Sequence, residues 1–255
     1  MRRLQRSACV RARTLPSSSA SWRRTRLGIG YNAENRAAIA AKGGIEAVVR
    51  AMAAHESSAG VQEAGCSSLQ NLAFNTDNRV TIAAKGGIEA VVRAMMVHES
   101  SAGVQEAGCR ALQNIEMNAE NRIAIAAKGG IEAVVRAMGA HESSAGVQEA
   151  GCAALANLAA CKAVNQVAIA ARGGVEAIVK AMAAYESSVG VQEDGCWALG
   201  NIASWKSGMG SQVREAEAVS LAKKALSAFP YNWGVQLHGR FLVFKLRMRS
   251  VFQRW

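Results

Sequence analysis

Histidine and glutamate stand side by side at three places in the sequence, and such pairs can serve as ligands for a metal ion. The pairs are His55-Glu56, His98-Glu99 and His141-Glu142. All ligands of one ion must lie within about 2–2.6 Å of it, whereas copies of a repeated motif are expected to stand side by side. Tyr185 replaces the fourth histidine. The histidines therefore fit better as residues at helix C-termini, where the helix dipole favours them, and we expect no metal or cofactor.

An asparagine recurs near the end of each copy of a longer repeated segment. The four residues are Asn71, Asn114, Asn157 and Asn201. A side-chain amide both donates and accepts, so a row of amides can bind the backbone of an extended peptide whatever its sequence. The same residues could instead form hydrogen bonds within or between helices.

One tryptophan, Trp197, lies four residues before Asn201 and therefore on the same face of a helix. The equivalent positions hold Ser67, Arg110 and Ala153. Arg110 is expected to repel a basic peptide.

Four of the six cysteines, Cys66, Cys109, Cys152 and Cys196, occupy one position of the repeat. Stacked helices lie about 10 Å apart, which exceeds the reach of a disulfide. We therefore predict buried free thiols and a reducing compartment: the cytoplasm or nucleus or, if residues 1–27 are a transit peptide, a mitochondrion or plastid.

The repeat itself positions these residues. GGIEAVVRAM begins at Gly43, Gly86 and Gly129, and GGVEAIVKAM begins at Gly173. The first unit predicts helices over about 33–42, 45–55 and 60–73, with Gly43-Gly44 as a left-handed stop and Glu46 paired with Arg50. A glycine inside the third helix, Gly65, costs about 1 kcal/mol relative to alanine, so we expect a neighbouring helix to approach it closely.

The net charge of +11 is concentrated in the two ends of the chain. Residues 1–30 hold eight arginines and no acid, residues 31–209 hold 14 basic against 17 acidic residues, and residues 210–255 hold 8 against 2. The repeats thus offer no basic stripe for nucleic acid. No apolar run is long enough to cross a membrane, and we expect no membrane contact.

Four segments follow from these patterns. Residues 1–28 are a basic tail, a mitochondrial or plastid transit peptide, or a worn repeat. Residues 29–209 hold four repeats, residues 210–247 hold a degenerate fifth repeat that is expected to act as a cap, and residues 248–255 form a tail.

A period of about 42 residues, three helices per unit, and a third helix ending in Ala-Leu-x-Asn-Leu/Ile-Ala resemble the armadillo repeats of importin-alpha and beta-catenin. The resemblance implies an all-α, right-handed solenoid with four clear units and degenerate flanking units. It also implies a concave groove lined by third helices, in which Asn71, Asn114, Asn157, Asn201 and Trp197 would bind an extended peptide.

The expected function is therefore a monomeric, non-enzymatic scaffold that binds a protein or peptide. Two alternatives stay open. The His-Glu pairs resemble, thinly, the dyads of the iron enzyme deoxyhypusine hydroxylase, and the single tryptophan retains part of a nuclear-import adaptor pattern. No phosphate loop, Ser-His-Asp set or Cys-x-x-Cys pair points to other catalysis.

Overall fold

A computed structural model describes residues 33–160, 163–203 and 215–252 of the chain. Every regular element within these ranges is a helix, and the predicted all-α armadillo solenoid is confirmed. The helices are α1 Ala33–Ala41, α2 Gly44–Ala54, α3 Ala59–Leu72, α4 Thr76–Ala84, α5 Gly87–Val97, α6 Ala102–Ile115, α7 Ala119–Ala127, α8 Gly130–Ala140, α9 Ala145–Ala159, α10 Ala163–Ala171, α11 Gly174–Ala184, α12 Val189–Ile202, α13 Glu215–Ala228 and α14 Trp233–Phe252. The first three follow the predicted bounds to within one residue.

Short polar and glycine segments separate the helices of each unit. Asn75 and Asn118 cap α4 and α7 by accepting hydrogen bonds from the next backbone amides. The sequence also predicts Asn32 as the cap of the first helix, but this residue lies outside the described part of the chain. The first glycine of each Gly-Gly pair has a φ of 75 to 81°, the left-handed conformation that ends the first helix and that other residues rarely adopt.

A glutamine joins the second helix of every unit to the third, and it is buried in the first four units. Its amide nitrogen donates to two carbonyl oxygens at the end of the second helix, at 2.7–2.9 Å and 2.9–3.1 Å. The glutamines are Gln62, Gln105, Gln148, Gln192 and Gln236. The second of these carbonyls, that of His98 for example, also accepts from a backbone amide three residues on. The glutamine adds a bond at the C-terminus of the second helix, where carbonyls lack helical partners, and the sequence analysis did not anticipate it.

The close approach predicted at the mid-helix glycine is present in the first four units. A Cβ on Gly65, Gly108, Gly151 or Gly195 would lie 2.5 Å from the Cγ of the methionine in the preceding second helix. The methionines, Met52, Met95, Met138 and Met182, are buried. Glycine therefore lets the third helix lie directly against the second.

Equivalent side chains also connect one unit to the next. The amide of Asn121, in the first helix of the third unit, donates to the carbonyls of Arg79 and Ile115, which lie in the first and third helices of the preceding unit. Asn78 and Asn165 make the equivalent pairs of bonds. The predicted pair between Glu46 and Arg50 is replaced by a contact between units, because Glu46 lies 3.0 Å from Lys85. These side chains therefore find their partners in the neighbouring unit more than within their own helix.

Helices α13 and α14 have the contacts of a second and a third helix. Gln236 repeats the double hydrogen bond, to Leu226 and Phe229. Asn232 caps α14 by accepting from the amide of Val235 at 2.8 Å, where serine caps the earlier third helices. This fifth unit stacks on α12 through α14.

The four repeated cysteines are buried free thiols. Burial raises the pKa of Cys66, Cys109 and Cys196 to about 12, so the thiols stay protonated and weakly nucleophilic. None of the helices within the described ranges is long and apolar enough to traverse a lipid bilayer.

Two glycines test the helix contact. Gly108→Ala should lower the free energy of unfolding by about 1–3 kcal/mol, because the new Cβ would lie 2.5 Å from the Cγ of the buried Met95. Gly139→Ala is the matched control, since nothing lies within 4 Å of its Cβ position, and it should stabilise by about 0.5–1 kcal/mol. Urea unfolding measures both; equal destabilisation would contradict the contact.

Candidate peptide-binding face

The third helices α3, α6, α9, α12 and α14 pack side by side in chain order. Their exposed surface, here called the third-helix face, carries the predicted asparagines. Asn114, Asn157 and Asn201 each donate a hydrogen bond to a carbonyl of the preceding third helix, at 3.2, 3.4 and 3.0 Å. The bonding between helices that the sequence left open is therefore present.

This bond does not exhaust the asparagine side chain. An amide has two N–H groups and an accepting oxygen, and the bond to the preceding helix uses one N–H. Asn71, Asn157 and Asn201 are half-buried, whereas Asn114 is 9% exposed. Each asparagine thus keeps hydrogen-bonding groups that a further partner could use. Asn114 offers the least, because it is the most buried of the four.

A row of glutamates, which the sequence analysis did not single out, runs along the same face. Its members are Glu63, Glu106, Glu149 and Glu193. Each lies eight residues before its asparagine, which is about 80° of arc away on a helix. A Cβ on Gly103 would lie 2.5 Å from the carboxylate of Glu63, so the acid lies over the positive first turn of the next third helix. The signal in the sequence was the recurrent Val-Gln-Glu.

Arg110 does not stand alone on this face. Its guanidinium lies 3.1 Å from Glu106 and 3.9 Å from Glu149. Both carboxylates remain about two-fifths exposed, at 41% and 40%. The expected repulsion of a basic peptide by Arg110 is therefore largely offset by its neighbours.

Trp197 is half-buried and stacks on His238 of α14, with ring centroids 5.3 Å apart. It follows Glu193 by four residues, so the two side chains share a face. Desolvation lowers the pKa of His238, while Glu193 opposes this, and the imidazole is neutral at neutral pH.

In the fifth unit Lys245 replaces the asparagine: it donates to Gly200 at 2.8 Å and lies over the Phe241 ring.

Asp194 adds a third acid beside Glu193 and Glu149, where the other units hold Ala64, Ala107 and Ala150. Burial, and then the charges of Glu193 and Glu149, raise the pKa of Asp194 to about 7, although Arg110 acts in the opposite direction. This part of the face is therefore crowded with negative charge.

Glu116 is the one acid of the third helices that is fully buried in the described part of the chain. It stands where the other units have Ala73, Ala159 and Ala203, and neither carboxylate oxygen has a hydrogen-bond partner. Burial raises its pKa well above the ordinary value, despite the nearby Asn157 amide and Arg122 guanidinium. The neutral acid is therefore favoured in the folded chain.

The His-Glu pairs take part in stacking. The Nε2 atom of His98 lies 2.6 Å from the Glu56 carbonyl oxygen, and that of His141 lies 2.7 Å from the Glu99 carbonyl. A carbonyl only accepts, so Nε2 carries the hydrogen. Tyr185 donates in the same way to Glu142 at 2.9 Å, which explains why tyrosine replaces histidine there. No group of three or more His, Cys, Asp or Glu side chains suited to a metal occurs among the described residues.

These features define an armadillo repeat protein. The family model described as LRRK2 ARM repeat matches residues 30–171, which are 142 of the 255 residues, and the chain belongs to this armadillo repeat family. No curated protein matches it.

Solved structures with the same fold include engineered proteins. One crystal structure of an engineered protein has a TM-score of 0.76 and 27% identity, with 90% of each chain covered. A designed armadillo repeat protein in complex with the peptide (KR)4 has a TM-score of 0.74 and 20% identity, over 89% of this chain and 92% of that one. A computationally designed armadillo repeat protein for modular peptide recognition gives the same values.

Glu116→Ala tests the buried carboxyl. A group whose pKa is raised on folding stabilises the fold below its unfolded pKa and loses this contribution as pH rises through the folded pKa. The variant should therefore be more stable than the wild type at pH 8, by about 1–3 kcal/mol, and the difference should shrink toward pH 5. Thermal unfolding at several pH values measures it; a variant less stable than wild type at pH 8 would refute this assignment.

Proposed function

We propose that the chain is a non-enzymatic scaffold whose third-helix face forms a groove for an extended segment of another protein, rich in lysine and arginine. A repeat scaffold for protein binding is what the armadillo fold typically provides. The observation that carries the finer proposal is the row of glutamates beside the asparagines, with the one arginine among them already paired.

The asparagines would bind the backbone of the partner. Asn157 and Asn201 are half-buried and keep amide capacity after bonding to the preceding third helix, although the Asn157 amide also lies near Glu116. Asn71 is half-buried as well. Because they recur once per unit, they can bond to an extended chain at regular intervals irrespective of its side chains.

The glutamates and Trp197 would select the side chains of the partner. A lysine or arginine can lay its aliphatic stem on the exposed part of Trp197 and place its charge near Glu193. Glu149 and Asp194 add negative charge in the same region. Such a cluster attracts a cation and disfavours an acidic segment.

Likeness to the designed armadillo protein bound to (KR)4 is consistent with this chemistry, because that peptide consists of basic residues. The likeness concerns the fold, and the charges of the present chain carry the argument. The histidines that suggested an iron oxygenase are engaged by backbone carbonyls, which favours the scaffold. A nuclear-import adaptor is less favoured, because the tryptophan position is filled by tryptophan only at Trp197.

The direct test uses a fluorescent octapeptide of alternating lysine and arginine, with binding followed by fluorescence anisotropy. Wild type should bind it, with affinity that falls as salt rises. Glu193→Gln and Trp197→Ala should each weaken binding about tenfold, a loss of roughly 1.4 kcal/mol.

Glu120→Gln is the matched control, because this exposed glutamate lies on a first helix and should leave the affinity unchanged. An alternating glutamate-serine peptide of the same length should not bind. Equal binding of both peptides, or equal affinities of wild type and the two groove variants, would refute the proposal.

The raised pKa of Asp194 gives a pH signature. A bound cation favours the ionised carboxylate, so the affinity for the basic octapeptide should increase between pH 6.5 and 8, as Asp194 with its pKa of about 7 loses its proton. Burial lowers the pKa of His238 below its ordinary value, so this imidazole loses its proton at a lower pH than Asp194 does. Asp194→Ala, which installs the residue of the other units, should abolish the increase; an increase that persists in this variant would show that another group titrates.

A further inference from the structure

The last helix, α14, has two apolar faces. Val235, Leu242 and Leu246 are buried against the preceding helices. Another set of apolar side chains is 40–78% exposed: Trp233, Leu237, Phe241, Phe244 and Met248. At 3.6 residues per turn these five positions fall within about 80° of arc, and we call them the α14 stripe.

Positive charge borders the α14 stripe on both sides. Arg240 and Arg247 are exposed along one edge, and Lys245 lies along the other, over the Phe241 ring. Helix α14 contains no aspartate or glutamate. The stripe is therefore an apolar surface with a basic rim.

This surface lies at the end of the stack. In the earlier units, the equivalent positions contact the unit that follows. In those units a valine of the second helix faces the following unit, as Val49 does beside Arg93. Its counterpart in the fifth unit is the exposed Lys223. Likewise, Glu186 and Glu193 of the fourth unit contact the fifth unit, but the fifth unit has Pro230 and Leu237 at these positions.

These replacements remove the anchors that another unit would need. Glu56, Glu99, Glu142 and Glu186 each pair with a basic residue of the next second helix, and Pro230 cannot. A second copy of the chain stacked head to tail would therefore lack this pairing. Two copies joined tail to tail would bring Arg240 and Arg247 of one chain toward those of the other.

We propose that this end of the solenoid binds the surface of an anionic lipid membrane. Exposed aromatic and aliphatic side chains in one row, flanked by arginine and lysine and free of carboxylates, are the composition with which a helix lies in the membrane interface. Trp233 is 78% exposed and the adjacent Tyr231 98%, and such rings prefer the headgroup region. The basic rim attracts anionic headgroups.

This proposal departs from the sequence-based expectation of no membrane contact, because a helix that lies in the membrane interface need not be long and apolar enough to cross the bilayer. The buried face of α14 stays packed on α12 and α13, so the helix can present its open side without unfolding the unit. The α14 stripe continues the third-helix face onto its last helix, where Leu237 and Phe241 stand at the positions of Glu193 and Trp197. The Glu193→Gln variant should weaken binding of the basic peptide without weakening vesicle binding, so failure of one proposal can be told from failure of the other.

The test is flotation of the full chain with vesicles of mixed phosphatidylserine and phosphatidylcholine, compared with vesicles of phosphatidylcholine alone. Wild type should float with the mixed vesicles and much less with the neutral ones. The double variant Trp233→Glu/Phe244→Glu should lose about tenfold in partition. Arg240→Gln/Arg247→Gln should lose binding to the mixed vesicles while keeping the apolar stripe.

Met117→Glu/Ile123→Glu is the control, because both side chains are about half-exposed elsewhere, at 55% and 50%, and it should bind like wild type. The eight arginines of residues 1–30 are present in every variant, so binding that is unchanged in the α14 variants would assign it to those arginines and overturn the proposal. Wild type that fails to float would also overturn it. So would a lipid-free dimer of wild type that the Trp233→Glu/Phe244→Glu change converts to a monomer.

Discussion

The contact between the second and third helices of each unit determines the rest of the architecture. Glycine at one position and methionine at another let the two helices touch closely, at Gly108 and Met95 for example. Gln105 then joins the same helices by donating to the carbonyls of Met95 and His98 at the end of the second helix. The recurrence of this geometry fixes the direction of each third helix, and hence the spacing of every side chain on the third-helix face.

The helices could be predicted from local signals in the sequence, whereas the long-range contacts between units could not. Gly43 ends a helix because it adopts positive φ, a property of the residue itself. The partner of Glu46, in contrast, is Lys85 of the next unit. Such contacts depend on how consecutive units stack. The sequence period predicts that they stack, but it does not give the lateral offset between them. The glutamate row was missed for the same reason: its residues are visible in the sequence, but its location beside the asparagines follows from stacking.

The asparagines illustrate how one side chain can serve both the fold and a binding surface. Asn201 stabilises the stack by donating to Ala156, and Lys245 makes the same connection in the fifth unit without an amide. The position therefore requires a donor toward the preceding helix, and asparagine in particular adds an acceptor and a second donor. A structural role alone does not explain why the position carries this additional donor and acceptor.

Near-identical units present a nearly uniform surface, and uniformity limits what the surface can recognise. A glutamate in each of four units attracts a basic segment along its whole length, but it gives no preference for one register over a shift by one unit. Register must come from positions where the units differ on this face. Arg110 pairs with the acids of the second and third units, whereas Trp197 and Asp194 make the fourth unit both aromatic and more acidic. Under the proposed function, a basic side chain would therefore gain most at the fourth unit, and this unit would anchor the partner segment.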